Sequence, residues 1–222
     1  MKEDCNGKSV RRFDASDVEV VSSVPVYEGF FTMKKYRLKH RRFAGDWTSE
    51  FSREVFCRQD AACMLPYDPI RDEVVLLQQF RIGALGSDAS PWLLEMVAGI
   101  NDQNELPEEV VRREAMEEAG LQVGDCLPIC SYFASPGGAT ERIHLFCGQV
   151  DTTTAGGIHG LPEESEDIQV YVFPRSQAYA MVISGEINNA ATIMALQWLA
   201  LNHAMVKARW CETENKPNRK TN

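Results

Sequence analysis

Glu114, Glu117 and Glu118 are three acidic side chains in the short run REAMEEAG. On a helix they stand at i, i+3 and i+4, so they share one side of one turn. Like charges at that spacing destabilise a helix unless something cationic offsets them. Oxygen-only ligands of this kind suit Mg2+ or Mn2+ rather than zinc. Arg113 precedes Glu117 by four residues and can brace its carboxylate. The pattern therefore points to chemistry assisted by a divalent cation.

The element that must position these groups reads as a helix over Pro107–Ala119. Pro107 suits a first helical position, Glu108 and Glu109 suit the positive end of the dipole, and Gly120 is placed to stop the helix. Leu106 is a poor N-cap. Val111, Ala115 and Ala119 recur every four residues and make an apolar stripe beside the acidic face.

The wider segment GINDQNELPEEVVRREAMEEAGL runs from Gly99 to Leu121. Gly99, Glu105, Arg113, Glu114, Ala115, Glu117, Glu118, Gly120 and Leu121 fit the spacing G-x5-E-x7-R-E-U-x-E-E-x-G-U, U being apolar. That spacing resembles the Nudix box. With each residue type filling about one position in 15, a chance match of its seven fixed positions is on the order of one in a million.

The likeness extends from about Val18 to about Val206 and is to the bacterial ADP-ribose pyrophosphatase branch of the Nudix hydrolases. It is carried by GFF at 29–31, MLPYDP at 64–69, PWLLEMVAG at 91–99, ASPGG at 134–138 and GIHGLPEESEDI at 157–168. Pro136 lies sixteen residues beyond Gly120, the spacing that marks ADP-ribose preference within the superfamily.

The resemblance implies an α+β chain. A Nudix fold, an α/β/α sandwich with a mixed sheet, would follow a small N-terminal antiparallel β-sheet domain. It further implies two or three Mg2+ ions, with Mn2+ as an alternative, held by Glu114, Glu118, Glu166 and the carbonyl of Ala98. Glu164 would be the general base, with Glu163 as its competitor, and Glu117 and Arg113 would support the reaction. Phe30, Arg53, Arg81, Ser135 and Glu141 would contact substrate, Phe30 stacking on adenine from a neighbouring subunit of a homodimer. The implied reaction is hydrolysis of ADP-ribose to AMP and ribose 5-phosphate. Another nucleotide sugar, a dinucleotide, or ADP-ribose sensing without turnover are the competing readings.

Composition sets bounds that agree with this. With 23 basic and 32 acidic residues the net charge is −9, which disfavours nucleic acid and anionic membranes as partners. A diphosphate would have to be drawn in locally, by metal and a few arginines. Seven cysteines with no CxxC argue against a zinc site or a disulfide framework. No apolar run approaches the roughly 20 residues of a membrane span, and a reduced, cytoplasmic protein is expected.

Along the chain, three divisions are expected: an N-terminal β domain over 1–57, exchanged in a dimer; a catalytic domain over 58–208; and a polar tail over 209–222. Strands are expected at Ala61–Pro66, Glu73–Ile82, Pro128–Ala134, Ile143–Val150 and Ile168–Phe173. Helices are expected at Ser176–Ile183 and Asn189–Val206, capped by Ser176 and by Asn188 or Asn189.

Overall fold

The computed structural model describes residues 10, 12–86, 90–101, 105–161 and 165–211. They fall into two compact units. One runs up to Arg58 and takes in Ser135–Thr140; the other comprises Gln59–Ala134 and the chain from Glu141 onward.

The first unit is an antiparallel sheet of β1 (Val18–Glu28), β2 (Thr32–His40) and β3 (Phe51–Cys57), in that order. The register of β1 slips twice, at Val20/Ser22 and Pro25/Tyr27, and Pro25 is tolerated because β1 is an edge strand. Val18, Val20, Val24 and Val26 all stand open to solvent on it. The loop Ser135–Thr140 joins this unit through backbone bonds, Phe56 N–H to the Gly138 carbonyl and Thr140 N–H to the Phe56 carbonyl.

In the second unit β4 (Ala61–Asp68) and β5 (Glu73–Phe80) form a hairpin that pairs only at its closed end, Tyr67 with Val74 and Asp68 with Glu73. Beyond that point the two strands diverge. The segment 92–100 fills the gap as two short strands. β6 (Trp92–Glu95) pairs with β5, and β7 (Val97–Ile100) pairs with β4. Next in the chain come α1 (Pro107–Ala119), β8 (Cys126–Phe133), β9 (Arg142–Gln149), β10 (Gly157–His159), β11 (Ile168–Pro174), α2 (Arg175–Ser184) and α3 (Ala190–Cys211).

The main path through the sheet is β10-β11-β5-β4-β9-β8. Only the β4–β9 pairing is parallel, so the sheet is mixed. Strand alternation divides its core in two. Val75, Leu77 and Val97 face α1 and meet Val110, Val111, Ala115 and Ala119. Leu65, Leu76, Met96 and Leu145 face the other way and meet Leu196, Leu199 and Trp210 of α3. Helices thus cover both sides of the sheet, giving the expected α/β/α sandwich. No helix of the described residues is long and apolar enough to cross a membrane.

Four details differ from the sequence reading. β5 ends at Phe80, and Ile82–Ala84 form a 3-10 turn, not strand. Pro174, not Ser176, stands at the N-cap of α2 and offers no side-chain cap. The 92–100 segment supplies two strands where the sequence reading has none. α3 continues past Val206 to Cys211, because Trp210 is buried and its indole N–H donates to Asp125 at 3.0 Å, so the chain up to Cys211 is helix rather than tail.

Candidate active site

Helix α1 begins and ends as its sequence dictates. Pro107 sits in the first turn, and Glu109 accepts from the Leu106 N–H at 2.9 Å, supplying the cap that the Leu106 side chain cannot. Gly120 closes the helix in the left-handed region at φ 63°. Arg112 ties α1 to the loop that follows it, donating to the carbonyls of Val123 at 2.7 Å and Gly124 at 2.9 Å.

The acidic face of α1 lies against β7, which the divergence of β4 and β5 has placed in the sheet. The Glu118 carboxylate is buried and accepts from the Ala98 N–H at 3.0 Å. The Glu114 carboxylate rests directly on Gly99, where any Cβ would overlap it. Arg113 extends along the helix surface. Its Nη1 donates to Glu114 at 2.8 Å and to Glu117 at 3.0 Å, and its Nη2 reaches Glu105 at 3.4 Å. Its Nε is buried without an acceptor.

Burial dominates the electrostatics. It pushes the Glu114 carboxyl up to about 7, against the pull of Arg113 and with help from Glu117 and Glu166. It pushes Glu118 up to about 8, opposed by the Ala98 N–H and reinforced by Glu114 and Glu166. Arg113 is held charged although burial opposes it, chiefly by Glu114 and Glu117. Two carboxylates that ionise reluctantly by themselves gain from a cation placed between them, and their donor set is the hard-oxygen set that Mg2+ prefers.

Glu166 belongs to this neighbourhood through its effect on both glutamates. It is placed by a tight loop. The Leu161 N–H donates to its carboxylate at 3.3 Å, its own N–H donates to the Leu161 carbonyl at 3.2 Å, and Gly160 turns there at φ 104° with no room for a side chain. Among the described residues no three acidic, His or Cys side chains are yet gathered at ligand distance from one point. Glu164 and Glu163 lie outside the described residues.

Arg81 comes to the same place from the end of β5 and pairs with Glu95 of β6 at 2.7 Å. The other sequence candidates divide between the units. Phe30, Arg53 and Ser135 belong to the first. Phe30 is 88 % exposed and edge-on to Phe31. Arg53 lies over the Phe51 ring at 4.6 Å. The Ser135 carbonyl accepts from Gly138 and Ala139 in the turn around Pro136. Glu141 is in the second unit, its carbonyl bonded to the Ala134 N–H at 3.1 Å.

Glu95 and Gln79 escaped the sequence reading. A signal was there, since the alternation of Val75 and Leu77 carries Gln79 and Arg81 onto the α1 face of the sheet.

Comparison with known proteins agrees with this architecture. Residues 58–211 match the NUDIX domain model. The chain is 52 % identical over 198 residues to the ADP-ribose pyrophosphatase of Escherichia coli strain K12, covering 89 % of this chain and 95 % of that one. It is 45 % identical to the ADP-ribose pyrophosphatase of Haemophilus influenzae, over 90 % of this chain and 94 % of that one. It is 35 % identical to the GDP-mannose pyrophosphatase of Pectobacterium atrosepticum, over 87 % and 96 % respectively. Its fold resembles a crystal structure described as an ADP compounds hydrolase, with a TM-score of 0.64 and 17 % identity over 95 % of this chain and all of that one. A domain match over most of the chain, together with these identities over about nine-tenths of it, places this protein in the Nudix family.

Proposed function

We propose that this chain is a hydrolase that cleaves the diphosphate bond of ADP-ribose to AMP and ribose 5-phosphate, with Mg2+ as cofactor. One observation carries the chemistry: Glu118, buried, and Glu114, partly buried, stand against Ala98 and Gly99, and of the two only Glu114 has an ion-pair partner among the described residues, the Arg113 guanidinium it shares with Glu117. The choice of ADP-ribose rests on relatives of that name at 52 % and 45 % identity.

In this reading Glu114, Glu118 and Glu166, with the Ala98 carbonyl, would hold two or three ions. Bound there, Mg2+ would neutralise the diphosphate and acidify the attacking water. Arg113 keeps Glu114 and Glu117 oriented. Arg81 binds the diphosphate, exchanging Glu95 for a phosphate oxygen. Glu164 takes the proton from water as it attacks phosphorus. Burial of Glu118 and partial burial of Glu114 would strengthen the hold of these two carboxylates on a cation.

The homodimer belongs to the same reading. The open valines of β1 form an apolar strand that a second copy would cover. Phe30 and Arg53 on the first unit would then serve a neighbouring subunit's site, with Ser135 and Glu141 lining the substrate. Light scattering tests it: a monomer at micromolar concentration rules it out. A cytoplasmic setting accords with the free cysteines Cys57, Cys63, Cys126, Cys130, Cys147 and Cys211.

A second reading keeps the chemistry and changes the sugar, favoured by the 35 % identity to a GDP-mannose pyrophosphatase. A panel of ADP-ribose, GDP-mannose, NADH and diadenosine polyphosphates with Mg2+ separates the two. Preferential AMP release from ADP-ribose is expected, and preferential turnover of GDP-mannose would reassign the substrate.

A further inference from the structure

Gln79 is a buried polar residue with no established task. It is only 5 % exposed, and its side-chain nitrogen has no hydrogen-bond acceptor. Buried donors are paired in the great majority of cases, and an unpaired one costs stability. An orphan of this kind is tolerated where a ligand completes it.

Its position says which ligand. Gln79 follows Val75 and Leu77 along the α1 face of β5, and Arg81 comes next on the same face. Across the β5–β6 ladder, Leu77 is opposite Glu95 and Gln79 is opposite Leu93. The Arg81 guanidinium reaches Glu95 at 2.7 Å, so this ion pair spans the row in which Gln79 stands. On the other side Gln169 of β11 is opposite Gln78, which sets Ile168 alongside Gln79 and carries the chain back towards Glu166. The strand register thus sets Gln79 between the Arg81–Glu95 pair on the β6 side and Ile168, two residues past Glu166, on the β11 side.

None of the neighbouring carboxylates accepts from the Gln79 nitrogen, and each is turned to another donor. Glu95 is held by Arg81, Glu118 by the Ala98 N–H, Glu114 by Arg113 and Glu166 by the Leu161 N–H. A carboxamide nitrogen donates and does not ligate a cation, so what it lacks is an acceptor, which the oxygens of a bound diphosphate supply. We propose that Gln79 is a substrate-binding residue whose side-chain N–H donates to a non-bridging oxygen of the bound diphosphate, beside Arg81. This rests on the proposed function and adds a neutral donor to a site otherwise read as metal and arginine. A neutral donor is suited to the place, because it grips phosphate without competing for the glutamates that the cation needs.

The test compares Gln79→Met and Gln79→Glu with wild type. Methionine keeps the length and volume and removes the unpaired donor, so the melting temperature should hold or rise. Over the same change, kcat/KM for ADP-ribose should fall by tenfold or more, and Gln79→Glu, which turns an acceptor towards phosphate, should fall further. The inhibition constant of ADP, which has the diphosphate and lacks the second ribose, should weaken in parallel. A lowered melting temperature with kcat/KM within twofold of wild type overturns the proposal and makes Gln79 structural. Weaker ADP-ribose turnover with unchanged inhibition by ADP also overturns it, moving the contact to the sugar. Should wild type fail to hydrolyse ADP-ribose, the function reading falls, and calorimetric binding of ADP with Mg2+ to wild type and Gln79→Met still decides the role of Gln79.

Discussion

The Glu114 carboxylate occupies the space that a side chain on Gly99 would need. Gly99 lies within β7 and needs no left-handed backbone, so its lack of a Cβ serves the approach of α1 rather than a turn. Gly120 is the opposite case, a residue at φ 63° chosen for backbone freedom. Gly99→Ala should therefore displace Glu114 while leaving the helix intact. The expected result is a loss of Mg2+-dependent activity of about a hundredfold, with a stability cost of roughly 1–3 kcal/mol from overpacking. Activity assays beside thermal denaturation check this, and a fully active Gly99→Ala would show that the close contact is unimportant.

Arg113 spreads one guanidinium over Glu105, Glu114 and Glu117. Arg113→Lys keeps the charge and loses the planar fork, so a loss of about ten- to a hundredfold in activity or metal affinity is expected. Arg113→Ala removes the charge that opposes the upward shift of Glu114, which should move the acidic limb of the pH–rate profile to higher pH. An unmoved limb would separate Arg113 from Glu114 titration.

Burial pushes the Glu114 and Glu118 carboxyls up from the ordinary 4.5 to about 7 and about 8. A carboxyl raised on folding contributes stability that is complete below its unfolded value and is lost as pH rises through the folded one. Metal-free protein should weaken between roughly pH 5 and pH 8. A divalent cation binds the ionised forms, so the thermal stabilisation given by Mg2+ should grow over the same interval. Thermal scans with and without Mg2+ across that range check the sign. Glu118→Gln, which cannot ionise, should flatten both trends.

A polar cluster on the α3 side of the sheet makes a contrasting prediction. Asp72, at φ 57° in the β4–β5 turn, accepts from the Tyr67 hydroxyl at 2.8 Å, from Arg175 at 2.8 and 3.0 Å, and from His203 at 3.1 Å. Its carboxyl is depressed to about 2: burial opposes this, and Arg175 and Tyr67 outweigh it. The stability it gives is present above its unfolded value and lost as pH falls through the folded one. Asp72→Asn keeps the left-handed tolerance and should cost about 2 kcal/mol, with solvent access moderating the loss. Asp72→Ala should cost about 1 kcal/mol more for the backbone. Urea denaturation reads both, and kcat should be unchanged because the cluster is across the sheet from α1.

Legibility in the sequence followed physical range. The bounds of α1 could be read because Pro107, Glu109 and Gly120 act within a turn of where they stand. The glutamate face could be read for the same reason. The wedge of β6 and β7 could not, because it depends on β4 and β5 parting beyond Tyr67 and Asp68, a tertiary event without a local signature. Trp210 was lost among polar neighbours because its partner, Asp125, is 85 residues away. The Arg81–Glu95 pair and the orphaned Gln79 amide needed the strand register.

The most direct test of the account is AMP release from ADP-ribose at saturating Mg2+ by wild type and Glu118→Gln, side by side, with folding monitored by circular dichroism. Wild type should release AMP, and Glu118→Gln should be slower by about a thousandfold, about 4 kcal/mol of lost transition-state stabilisation, in a folded protein. A wild type that binds ADP-ribose without turnover, or a Glu118→Gln within tenfold of it, would contradict the assignment of the α1 glutamates to hydrolysis.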